Sequence, residues 1–173
     1  MQEVIKHINA AIITHINDDE LADNVKVYDL AESIAVRGEE EVTIPALVLP
    51  DGECINVYAE VDKHDVTCYH RLNSISFQEE SVASFGSANG YTETDDMSLI
   101  VFGKRASISP FDMERIARKA IAQEKGCAVS QSDFNSLQIF ASEYIGVTYF
   151  MSPEYYLFKI NYRITSTYNP KCY

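Results

Sequence analysis

From Phe158 to Thr165 the chain alternates without a break, with Phe158, Ile160, Tyr162 and Ile164 set against Lys159, Asn161, Arg163 and Thr165. A side-chain period of two belongs to extended chain, so this segment predicts a strand with one face in a core and the other polar. One such strand is not stable alone. It requires a sheet, and one face packed with the other solvated is the pattern of antiparallel pairing.

Two segments carry the other period. Val4, Ile5, Ile8, Ala11, Ile12 and Ile16 fall at the three-and-four spacing of an amphipathic helix, which Asn17, Asp18 and Asp19 should end. Farther on, Ser109 can cap a second helix, Pro110 suits its first position, and Asp112 complements its dipole. Met113, Ile116, Ala117, Ala120 and Ile121 form its inward stripe, and Gly126 is placed to stop it.

Strand-like runs fill most of the remainder. VKVYDL and SIAVRG are short, and TIPALVLP and ECINVYAEV flank Asp51-Gly52, a hairpin signal. VTCYHRLNSISFQ reads as a long strand with room for a bend, and MSLIVFG as a buried one. Further pieces are expected around DFNSLQIFASEY and IGVTYFM. Residues 78–96, rich in Ser, Gly, Asn and acids and without a period, read as a long loop. The expectation is one α+β domain over 1–173, a mostly antiparallel or mixed sheet with two main helices packed on one face.

Charge is divided along the chain. Met1 to Gly103 holds 20 acids and 5 bases, and Lys104 to Tyr173 holds 6 acids and 9 bases, so the net −12 arises as −15 and +3. The acidic balance opposes nonspecific binding to DNA or anionic lipid. No run of about 18 apolar residues predicts a membrane span, and the start lacks a signal peptide's apolar core, so a cytosolic site of synthesis and assembly is expected. Cys54, Cys68, Cys127 and Cys172 are widely spaced, which favours reduced thiols.

Motifs for chemistry are sparse. Cys68 and His70 would share one face of an extended segment and could hold a metal with His64, but no second cluster completes a ligand set. No nucleophile elbow or phosphate loop occurs, His7 and His15 fall on the first helix, and Gly86-Ser-Ala-Asn-Gly90 leads into no helix. No catalytic, cofactor or metal residues are therefore assigned. Candidate subunit contacts are the acids Glu39, Glu40, Glu41, Asp95 and Asp96, the bases Lys104, Arg105, Arg115, Arg118 and Lys119, and the late aromatics Tyr168 and Tyr173. Acidic runs and helix charges read otherwise as solvated faces, and late tyrosines as sheet core.

The order of elements, with SLIVFGKRASISPFDMERIARKAI as strand into capped helix and YLFKINYRI as last strand, resembles tail-completion or tail-terminator proteins and related neck and collar ring subunits of tailed bacteriophages. That resemblance implies a noncatalytic subunit of a homo-oligomeric ring at the head-tail junction of a virion assembled in host cytoplasm. Its partners would be copies of itself and neighbouring portal, neck or tail proteins, with DNA at most passing through the lumen. The alternative is a small cytosolic binding module or enzyme of unknown substrate.

Overall fold

The computed structural model describes residues 1–37, 41–48, 52–57, 63–80, 90–134 and 153–168. Helix α1 (Gln2–Asp18) leads into β1 (Val25–Leu30), β2 (Glu32–Arg37), β3 (Glu41–Val48) and β4 (Cys54–Asn56). Two long strands follow, β5 (Val66–Glu80) and β6 (Gly90–Lys104), then α2 (Pro110–Gln123), β7 (Cys127–Asp133) and β8 (Tyr155–Tyr168). The main sheet has five strands in the order β1-β5-β6-β8-β7, and β2-β3-β4 form a second sheet. Only β1 and β5 pair in parallel within the main sheet, so it is mixed and mostly antiparallel. The α+β expectation holds.

The alternating run that opened the sequence lies in β8, next to the sheet centre. Its Phe158, Ile160, Tyr162 and Ile164 are buried with Met97, Leu99 and Val101 of β6 beneath both helices. Ile5, Ile8, Ile12 and Ile16 of α1 reach the same core, as do Met113, Ile116, Ala117, Ala120 and Ile121 of α2. Burying each of the larger side chains contributes about 1.5–3 kcal/mol. The opposite face is partly covered by the second sheet, where Leu47 and Val57 pack with Tyr69, Ile100, Phe102 and Leu157.

Helix ends follow their local chemistry. Ser109 Oγ accepts the Asp112 amide at 3.1 Å, satisfying a donor the helix itself leaves unpaired. At the end of α1, Leu21 N donates to Ile16 O at 3.1 Å while Glu20 takes φ 51°. This is a left-handed C-cap occupied by a residue other than glycine. Gly126, with φ 83°, turns the chain into β7, and an added Cβ there would lie 2.7 Å from Thr165 O. One sequence expectation needs correction here. Within the expected 78–96 loop the described residues are strand, since β5 continues to Glu80 and β6 begins at Gly90, while residues 81–89 lie outside the described residues. Pairs such as Thr94↔Thr165, Thr92↔Thr167 and Tyr91↔Tyr168 are made across the sheet, so the local sequence carries no period to reveal them. The hairpin expected about Asp51-Gly52 agrees with the antiparallel pairing of β3 with β4, whose last pair is Val48↔Cys54; residues 49–51 lie outside the described residues. Residues 135–151, where later strand pieces were expected, lie outside the described residues.

One buried polar chain crosses the core. Asn9 of α1 donates its amide protons to Tyr28 O (3.3 Å) and to Asp29 Oδ1 (2.8 Å), so its oxygen faces His70 Nε2 at 2.7 Å. That nitrogen must carry the proton. His70 Nδ1 is then bare and accepts from the Tyr162 hydroxyl at 2.7 Å. The imidazole is fully buried, and burial lowers its pKa from 6.5 to about 3. His64 instead meets Asn24 Oδ1 at 2.8 Å, and the Cys68 thiol is buried and pushed up by burial. Of the three possible ligands of the sequence reading, His64 and His70 are thus bonded to different partners and Cys68 is a free thiol in the apolar core.

These features generate two predictions. Below pH 6.5 the unfolded chain binds a proton at residue 70 that the folded chain refuses, so stability falls as pH drops toward 3, by about 1.4 kcal/mol per unit. Urea denaturation should lose about 2 kcal/mol between pH 7.5 and 5 from this group, a component absent in His70→Gln. A constant difference between wild type and variant over that interval refutes the buried neutral imidazole. Separately, Glu20→Gly should raise stability by about 0.5–1 kcal/mol by relieving the left-handed backbone; thermal melts check the sign.

Candidate subunit interface

The three central strands outrun the helices. Beyond Leu72, where a bulge bends β5, residues 73–78 are exposed, and β6 and β8 extend alongside to Tyr91 and Tyr168. This three-stranded arm has a definite polarity of faces. Odd positions of β6 that point under the helices as Met97, Leu99 and Val101 continue outward as Asp95, Glu93 and Tyr91. The register sets Ile75, Asp95 and Ile164 in one row, Phe77, Glu93 and Ser166 in the next, and Tyr91 beside Tyr168. Ile75, Phe77, Tyr91 and Tyr168 are all exposed, Phe77 by 70%. They therefore share one face, an apolar patch with two carboxylates along its middle.

Those carboxylates differ from ordinary surface acids. Asp95 is buried, its Oδ1 has no hydrogen-bond partner among the described residues, and burial followed by the Glu93 charge raises its pKa. Glu93 also pushes up the Tyr168 phenol, so acid and tyrosine lie close together on this face. Asp96 points the other way. Arg163 Nε donates to its Oδ1 at 2.8 Å and Ser74 Oγ to its Oδ2 at 3.1 Å, and these bonds hold the carboxyl below its usual range.

On that second face lies an open groove of about 410 Å³ lined by Asn73, Asp96, Ser130, Asn161 and Arg163 among others. Its polar groups bond one another: Asn73 Nδ2 to Ser98 Oγ and Ser98 Oγ to Asn161 Oδ1, each at 2.8 Å. The groove's carboxylate is committed to Arg163 and Ser74. Among the described residues no group of three or more His, Cys, Asp or Glu side chains could hold a metal, and no helix is long and apolar enough to cross a membrane.

The basic candidates separate into two kinds. Arg118 Nη1 donates to Ser130 O (3.2 Å) and to Ser132 Oγ (3.1 Å), and Ser132 in turn bonds Glu114. Arg118 thus ties α2 to the edge strand β7, which the sequence reading missed because its alternation spans only Cys127 to Ser130 before a bulge. Lys104 pairs with Asp65 at 3.7 Å, and Arg105 lies exposed in the turn after β6. Arg115 and Lys119 remain on the outer face of α2, in line with Phe111, which is 72% exposed. Phe134 lies beside Phe111, with ring centroids 5.8 Å apart. Arg115 has one ion-pair neighbour on its own helix, Asp112 at 3.6 Å, and both are well exposed. Glu41 begins β3, whereas Glu39, Glu40 and Tyr173 lie outside the described residues. The exposed aromatics Phe77 and Phe111 were not singled out by sequence, because an isolated phenylalanine in a polar stretch reads equally well as core.

Arg118→Ala should cost about 1 kcal/mol in urea denaturation by releasing β7 from α2, and should leave any self-association unchanged. Loss of association without loss of stability would reverse the roles assigned to Arg118 and Arg115. No protein-family model matches the chain, and no curated protein matches it in sequence.

Proposed function

We propose that this protein is a noncatalytic structural subunit that assembles through its three-stranded arm into a homo-oligomeric ring, at the neck, collar or tail-terminator position of a tailed-bacteriophage virion. The observation that carries the assembly reading is the row of exposed Ile75, Phe77, Tyr91 and Tyr168 on one face of strands that project beyond both helices. Contiguous apolar surface of this kind marks an interaction site, and tyrosine is favoured there for combining area with a polar tip. The phage placement rests on the resemblance in element order.

A noncatalytic role is supported by the polar groups themselves. His70, the most deeply buried titratable base described, is neutral and hydrogen-bonded on both nitrogens within the core. The open groove is a network of side chains bonded to one another. Both are what a scaffold needs to hold its shape.

Native mass spectrometry of the purified chain tests the assembly. A single closed oligomer of cyclic order is the expected result, and because its affinity is apolar and the copies repel one another through their net charge, raised ionic strength should leave it assembled. A species that stays monomeric at micromolar and higher concentration, alone and with head-tail proteins of its virus, would remove the ring.

A further inference from the structure

Two exposed surfaces of this chain, carried by different elements of the fold, complement each other. The first is the helix-side face of the arm, with exposed Ile75, Phe77, Tyr91 and Tyr168 around Glu93, and with Asp95 buried beside it. The second is the outer row of α2, where Phe111, Arg115 and Lys119 recur every fourth residue and Phe134 broadens the apolar end. Apolar area matches apolar area, and the accessible Glu93 carboxylate matches the two cations.

Resting on the ring reading, we propose that the arm face of one copy docks on the Phe111–Arg115–Lys119 row of the next copy. The contact is heterologous, since the two surfaces come from different parts of the fold, and a heterologous contact repeated by rotation generates a ring. Charge complementarity selects a second copy as occupant. The chain is strongly acidic overall, so an acidic arm is repelled by most of its own surface and attracted to the few places where bases stand exposed. Arg118 and Lys104 are engaged within the fold, which leaves Arg115 and Lys119 as the cations in register with exposed aromatics. The Asp112 to Arg115 pair is exposed and gives way readily, because such pairs contribute little. The aromatics supply the contact area, and the charges set its orientation.

The test uses two full-length variants, Phe77→Asp on the arm and Arg115→Glu on α2. Both sites are exposed, so circular dichroism melts should match wild type. Each variant alone should be monomeric in native mass spectrometry at concentrations where wild type forms its ring. Mixed one to one, they should form dimers and nothing larger. The Phe77→Asp copy retains an intact α2 row and the Arg115→Glu copy an intact arm, so a single good junction is possible and no chain can grow from it. Variants that each assemble as wild type does, or a mixture that remains monomeric, overturn this interface while the wild-type ring stands. A monomeric wild type overturns the ring reading and the interface with it.

Discussion

The chain Asn9–His70–Tyr162 is the constraint on which the arrangement of layers depends. Apolar packing alone would let α1 slide along the sheet, because a stripe of isoleucines fits many positions against a bed of branched and aromatic side chains. The polar chain admits one position. Asn9 must present its oxygen to His70 while its amide spans Tyr28 and Asp29, and Tyr162 must meet the other imidazole nitrogen. Any slip leaves several buried polar groups unsatisfied together, at a cost of about 1–3 kcal/mol each. α1, β1, β5 and β8 are thereby fixed to one another, and the helix layer can cover only the inner part of the long strands.

What the helices leave uncovered then follows from strand length. β5, β6 and β8 run 15, 15 and 14 residues, long for strands in a domain this size, and the core occupies their inner part. The pleat does not change at the border, so the face that carries Leu99 and Met97 inside the core carries Asp95, Glu93 and Tyr91 outside it. Apolar side chains on that outer stretch find no partner in the helix layer. A sheet that continues past its own cover is a surface prepared for contact or a liability for aggregation, and acids placed among the apolar groups are a means of restricting which contact forms.

The sequence made the covered part legible and left the arm obscure. Where a strand is half-buried, as at Phe158 to Ile164, burial imposes the alternation that a reader can see. Where the residues of both faces are polar, as at Thr92 to Asp96, no alternation of apolar and polar is visible, and the same backbone reads as loop. Helix α2 was legible because its cap and its stripe are local. β7 was obscure because it is an edge strand interrupted by a bulge after Val129 and held by Arg118 from another element. For the interface the basic residues were visible but their roles were not. Arg115 and Arg118 look alike on a helical wheel, and only the position of Ser130 and Ser132 across from α2 distinguishes a tether from an exposed cation.

Folding also changes what the charge division along the chain signifies. The two halves are not kept apart, since β6 from the acidic part lies between β5 and the later strand β8. Asp96 meets Arg163 and Asp65 meets Lys104, so acids of the first part are paired with bases of the second within the molecule. The remainder is distributed by the folded surface and no longer by chain position: Glu93 on the arm, Arg115 and Lys119 on α2. A net charge of −12 per copy makes indiscriminate association unfavourable, and each added neighbour in an assembly increases that repulsion. Long-range electrostatics therefore cannot supply the affinity of a homo-oligomer built from this chain. Short-range apolar contact must supply it, with the few opposed charges acting within a Debye length, about 8 Å at physiological salt, to select orientation. The exposed aromatics at Phe77 and Phe111 are the groups in the described structure with the area to do so.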